Sequence, residues 1–301
     1  MFFVAIIIII ILIPGEAMAW GPGFHLQLGV NVLENLQFFP TAIAAIIGTF
    51  PNDFLYGCIS ADITVGKKYT QYLQHCHRWN VGKKLLETAD KDGQKACALG
   101  YISHLAADSV AHSYYVPIKT IQSFPTVLLN HAYWEMRFDT GIEKDIWELG
   151  GKVAKDYHTE NDALLRSVLA NTLFSFSTNK RIFNSILLLT RLQKWQQLIK
   201  TMNDISRFHL EKDEIDLCTE LSNKAVFETL SNIDDSPWFF ADPTGEKALK
   251  TGEVVSRNLR ILYRTGKISK KDAMTQVEDM EQKFLEAICK PELLGQILSK
   301  E

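Results

Sequence analysis

The sequence has no fixed-period repeat and no low-complexity tract, and strand-like alternation is scarce along its 301 residues. These absences exclude a repeat array and count against an extended sheet. Cysteine is also sparse. Cys58, Cys76, Cys97, Cys218 and Cys289 are too few and too irregular for a disulfide framework, and no two form a C-x-x-C pair. Export permits one or two bridges, yet an odd count leaves at least one thiol without an internal partner. Basic excess is missing too, with 32 Lys and Arg against 35 Asp and Glu. That balance gives no broad positive surface of the kind that captures nucleic acid.

What is present begins with a leader. Met1 precedes the apolar run Phe2 to Ile13, a break at Pro14 and Gly15, and the small-x-small end Ala17, Met18, Ala19. This order predicts a secretory signal over residues 1–19, cleaved to leave Trp20 at the mature terminus. The run is shorter than the roughly 20 residues that span a bilayer as a helix. It departs from the usual pattern in having no Lys or Arg ahead of the apolar stretch. The expected product is exported, either secreted or periplasmic, with enough chain in residues 20–301 to bury a core.

Helical spacing of apolar residues recurs over Leu85 to Tyr115, Asn161 to Phe174, Ile182 to Ile199, Glu246 to Tyr263 and Ser269 to Cys289. Ser269 with Asp272 three residues on reads as a helix start. Pro117 and Pro125 are expected to end the helix that carries His104, and Ser236 to Gly245 reads as a loop. The expectation is an all-α, multi-helix bundle in one domain, with the portion after about residue 145 as a helical extension.

Six of the eight histidines lie between His25 and His131, among well-spaced carboxylates. The sharpest local pattern is His104, Asp108 and His112. Steps of four residues keep three side chains on one gently turning helix face, and the small or apolar neighbours Leu105, Ala106, Ala107, Val110 and Ala111 imply that this face is buried. Two buried imidazoles and a carboxylate need pairing or a metal ion. His131 and Glu135 repeat the four-residue step. Upstream, Asp62 is followed fifteen residues later by His77, with His75 and Cys76 also available as ligands and Asp53 as a competing carboxylate. At the mature terminus, Trp20 would offer its α-amine and carbonyl oxygen to a metal, five residues before His25.

In this order the residues resemble the superfamily of bacterial zinc-dependent phospholipase C and the fungal single-strand-specific nucleases, which are all-helical trinuclear zinc enzymes. The likeness covers Trp20 to Glu135. It implies that Asp62, His77, His104 and Asp108 bind one zinc, that Trp20, His25 and Asp108 bind its close neighbour, and that His112, His131 and Glu135 hold a third. Asp108 would bridge two metals, and Asp62 would orient or deprotonate the attacking water. The four-residue step from Asp108 to His112 is tighter than in the best-known members. It is similar to the catalytic domain of glycosylphosphatidylinositol-specific phospholipase D and to bacterial proteins of the phospholipase C family. Glu135 is the acid found in the phospholipase, where the nucleases carry Asp.

The resemblance implies a phosphodiester hydrolase with phospholipid substrates favoured over nucleic acid, and transient contact with a membrane surface. Phe24, Tyr69, Tyr72, Trp134 and Trp238-Phe239-Phe240 are candidates for a wall around headgroup or acyl chain. The stretch Ile182 to Ile199 is a candidate for touching a membrane.

Overall fold

The computed structural model describes residues 20–64, 76–126, 131–156, 158–169, 174–190 and 210–298, and the architecture below is that of these residues. They are helical, with no strand among them. In chain order the helices are α1 (Pro22–Glu34), α2 (Thr41–Thr49), α3 (Pro51–Ser60), α4 (Trp79–Thr88), α5 (Asp92–Val110), α6 (Val116–Gln122), α7 (His131–Asp139), α8 (Lys144–Val153), α9 (Thr159–Val168), α10 (Phe176–Thr190), α11 (Lys212–Ser231), α12 (Glu246–Arg264), α13 (Lys270–Ala287) and α14 (Leu294–Leu298). A short 3-10 turn, Ala61–Ile63, follows α3, and a π-helical turn, Ala111–Tyr115, joins α5 to α6.

Helix α5 is the hub. From Ala96 to Val110 every residue is buried, so the helix is enclosed around its whole circumference and its polar residues Ser103, His104, Asp108 and Ser109 must find partners inside. It packs on α3, α4 and α11. The α3 contact is backbone to backbone: a Cβ placed on Gly57 would lie 2.0 Å from the carbonyl oxygen of Cys97, and one on Gly100 would lie 2.0 Å from that of Phe54. Only glycine fits at either point of this crossing.

Two apolar clusters flank the hub. One joins Trp20 and Phe24 to Val110, Trp134, Phe138, Val226, Trp238 and Phe284. The other joins Leu26, Tyr56, Leu85 and Leu105 to Trp147, Leu165 and Phe183. Helices α11 to α13 therefore share a core with the amino-terminal helix. A buried cation fastens them further, because Lys119 of α6 donates to Gln122 and, at 2.5 Å, to Glu214 of α11, while Gln122 donates to Glu281 of α13. An ammonium in the interior requires such partners.

Several sequence expectations meet the structure closely. Ser269 accepts from the Asp272 amide, and Asp272 accepts back from Ser269, so a capping box opens α13. Others need correction. The span Leu85 to Tyr115 is interrupted after Thr88, where the chain turns before α5 begins at Asp92. Pro117 does not stop the helix that carries His104. It sits in the first turn of α6, directly after the π turn, and the helical path continues past it. The helix expected over Asn161 to Phe174 spans Thr159–Val168, and residues 191–199 of the span Ile182 to Ile199 lie outside the described residues. All five cysteines are free thiols.

Candidate metal centre

The centre forms where α1, the 3-10 turn after α3, the segment before α4, and α5 meet. His25 lies in the first turn of α1, Asp62 in the 3-10 turn, His77 two residues before α4, and His104 and Asp108 one turn apart on α5. All five are buried to 3% exposure or less.

Their donor atoms converge. His77 Nε2 lies 3.2 Å from Asp62 Oδ1 and 3.1 Å from Asp108 Oδ2. His104 Nε2 lies 3.1 Å from the same Asp108 Oδ2, 3.2 Å from His77 Nε2 and 4.0 Å from Asp62 Oδ1. Ligands on a tetrahedral zinc with bonds of roughly 2.0–2.1 Å stand about 3.3 Å apart. The His77, His104 and Asp108 atoms therefore stand at the spacing of zinc ligands, and Asp62 lies beside them, nearer His77 than His104. The two imidazole nitrogens face each other at 3.2 Å, a separation that one N–H···N hydrogen bond or a shared cation satisfies equally. The donor set of nitrogen and carboxylate oxygen fits zinc.

The second oxygen of Asp108 faces elsewhere, with Oδ1 lying 3.1 Å from His25 Nε2. Neither oxygen of Asp108 nor Nε2 of His25 has a hydrogen-bond partner despite full burial. His25 stacks on His104 at 3.7 Å between ring centres, and one ligand atom each from His25, Asp62 and His104 lie within 4.8 Å of one another. Trp20 is buried beside them and its indole donates to the Ala107 carbonyl at 2.9 Å.

Backbone groups orient the rings. His104 Nδ1 donates to the Cys58 carbonyl at 2.9 Å and His112 Nδ1 donates to the Pro243 carbonyl at 2.5 Å, which leaves each Nε2 with its lone pair. The first bond depends on the glycine crossing of α3 and α5, and the second brings the carboxyl-terminal half into the centre. Cys76, weighed as a ligand, instead has its sulfur 3.1 Å from His77 Nδ1. Asp53, weighed as a competing carboxylate, accepts from Asn161 in a separate network.

His112 corrects the picture of one even helix face. It lies in the π turn that follows α5, and its ring is centred 6.5 Å from that of His77. Tyr115 of the same turn donates to the Trp134 carbonyl at 2.9 Å, which draws α7, and Glu135 with it, against the π turn. Glu135 is buried at 3% exposure. His131 opens α7, and its side chain lies outside the described residues. Among the aromatic candidates, Phe24 and Trp134 are core residues and not a substrate wall, because their helix faces turn inward. Phe240 is 70% exposed, and Tyr69 and Tyr72 lie outside the described residues.

Electrostatics follow from burial. Desolvation, with the neighbouring His104 ring acting in the same direction, lowers His25 below its ordinary value of 6.5 and outweighs Asp108. Burial alone would raise Asp108, but His104 and His25 overcome it and hold the carboxyl well below the usual range. Asp139, which no sequence pattern singled out, is pushed up to about 7 by burial and by the Asp62 charge, against the pull of the Gly23 and Phe24 amides.

In metal-free protein His25 and Asp139 act in opposite directions. Below 6.5 the unfolded chain protonates His25 while the fold resists, so stability is lost on acidification. Asp139 takes up its proton near 7 in the fold but near 3.8 when unfolded, so it returns stability over that window. Asp139→Asn removes the return. Its unfolding temperature in metal-free protein is expected to fall more steeply than that of the parent as pH drops from 7 to 5; parallel curves would contradict this account.

Residues 24–179, just over half of the chain, match the family described as zinc dependent phospholipase C. No curated protein and no solved structure matches the chain. Asp62, His77, His104 and Asp108 fall inside the matched span, and the chain belongs to the zinc-dependent phospholipase C family.

Proposed function

We propose that the chain is an exported phosphodiesterase that cleaves phospholipids in the manner of a phospholipase C, releasing diacylglycerol and a phosphorylated headgroup. The observation that carries this is the convergence of His77, His104 and Asp108, with Asp62 beside His77, in a chain of a zinc-dependent family. Zinc bound there supplies a Lewis acid for the phosphate oxygens and makes the attacking water more acidic.

The chain's own groups do the rest. Asp108 would offer one oxygen to each of two neighbouring zinc sites, with His25 and the mature Trp20 terminus completing the second. Asp62 orients the attacking water or accepts its proton. His112, His131 and Glu135 would hold a third zinc, and the Pro243 carbonyl fixes the His112 tautomer. Burial excludes bulk water and strengthens each of these contacts.

The direct test is zinc analysis of mature protein with parallel assays on phosphatidylcholine, phosphatidylinositol lipids and single-stranded nucleic acid. Bound zinc with release of diacylglycerol is expected. Nucleotide release without lipid cleavage would move the assignment to a nuclease, and zinc without cleavage of any diester to a binding protein.

Leader removal is part of the proposal, since cleavage after Ala19 frees the Trp20 amine as a ligand. Residues 1–19 lie outside the described residues. Amino-terminal sequencing of exported protein is expected to read from Trp20. One extra residue ahead of Trp20 is expected to lower activity by about tenfold or more and to weaken one zinc. Full activity in that variant would exclude the amine.

A further inference from the structure

The first-turn amides of α1 lack a side-chain acceptor of their own, because the cap residue is Gly21; locally only its carbonyl accepts, 3.1 Å from the Phe24 nitrogen. Their side-chain acceptor comes from the far end of the site. Asp139, the last residue of α7, takes the Gly23 amide on Oδ2 and the Phe24 amide on Oδ1, each at 3.0 Å, and is itself 8% exposed. Its neighbour Phe138 packs on Trp20 and Phe24 with ring centres 4.4 and 4.8 Å apart. The clamped turn ends one residue before His25, whose Nε2 faces Asp108 at 3.1 Å. One helical turn before Asp139 on α7 stands Glu135. The fit leaves no slack, since a Cβ on Gly21 would lie 2.1 Å from Asp139 Oδ2.

We propose that Asp139 is a positioning residue of the metal centre: by holding the α1 amides it keeps Trp20 and His25 in register with the helix that carries Glu135. The first and last ligands of the set are far apart in sequence, and this carboxylate is the strut between them. The inference rests on Trp20 and His25 being zinc ligands, as proposed above. A cap that merely stabilised α1 would have no bearing on zinc.

The test uses the mature chain carrying Asp139→Ala, Asp139→Asn, Gly21→Ala, His25→Ala and the pair His25→Ala with Asp139→Ala. Zinc affinity is read by chelator competition, and exchange of the Gly23 and Phe24 amides by hydrogen–deuterium exchange. Asp139→Ala is expected to weaken the most labile zinc by about 10–100-fold, the range for groups that orient metal ligands, and to speed exchange at both amides. Asp139→Asn keeps one acceptor and is expected to fall between Asp139→Ala and the parent. Gly21→Ala disturbs the same contact from the other side and is expected to mimic Asp139→Ala, so the question is answered even where Asp139→Ala fails to fold. In the His25→Ala background Asp139→Ala is expected to cost no further zinc.

Parent-like zinc affinity in both Asp139→Asn and Gly21→Ala, with faster amide exchange, would reduce Asp139 to an ordinary cap. Full zinc in His25→Ala would instead defeat the reading of His25 as a ligand, and the strut with it.

Discussion

Asp108→Asn is expected to abolish turnover and to release more than one zinc per chain. Both oxygens of this carboxylate are committed, Oδ2 to His77 and His104 and Oδ1 to His25, each at 3.1 Å. An amide keeps the shape but replaces one anionic acceptor with a donor, which faces imidazole nitrogens that need their lone pairs for metal. Altering a group that only orients a ligand typically costs 10–100-fold in affinity or activity, so a shared ligand should cost at least about 100-fold. Metal analysis of the purified variant against the parent decides it. Loss of a single ion would leave Asp108 a ligand without the bridging role, and unchanged zinc with unchanged turnover would remove it from the centre.

Gly100→Ala has the second largest expected effect, and it touches no ligand. The added methyl would meet the Phe54 carbonyl at 2.0 Å and the Cys58 amide nitrogen at 2.8 Å, both backbone atoms inside α3. Neither can turn aside as a flexible side chain would, so α3 and α5 must separate. Overpacking of a tight core typically costs about 1–3 kcal/mol and more where backbone must shift. At the upper figure the unfolding temperature should drop by roughly 6–12 °C. Separation also lengthens the bond from His104 to the Cys58 carbonyl, so zinc affinity should fall together with stability. Calorimetry with and without zinc checks both. A variant that unfolds and binds zinc like the parent would show that the crossing can relax without disturbing His104.

The two variants probe layers of different legibility. The all-helical class was readable, since helical spacing recurred and strand alternation did not, and the capping box at Ser269 and Asp272 marks the start of α13 where expected. Residues that donate through side chains were readable too. Asp62, His77, His104, Asp108 and His25 are drawn together from separate segments, as a constellation of ligand types would require. The break before α5 and the π turn after it were not readable. A π turn is a local underwinding of the helix, with i→i+5 hydrogen bonds, and no residue type signals it.

The backbone layer was the least legible. The Cys58 and Pro243 carbonyls that orient His104 and His112 belong to residues with no metal chemistry of their own. Gly57 and Gly100 carried a weak signal, because glycine inside a helix is costly without a packing reason. Asp139 offered another in its four-residue step from Glu135, which extends the His131–Glu135 series.

By itself the sequence determined which groups are present to bind a cation and that they ride on helices, because side-chain chemistry and the 3.6-residue period are properties of the local chain. Tertiary structure alone decided which of those groups face one another, which nitrogen of each ring carries the lone pair, and how far apart the donors stand. Those depend on helix crossings and carbonyl contacts between segments remote in sequence, where a shift of one ångström separates a zinc shell from a cluster of buried histidines.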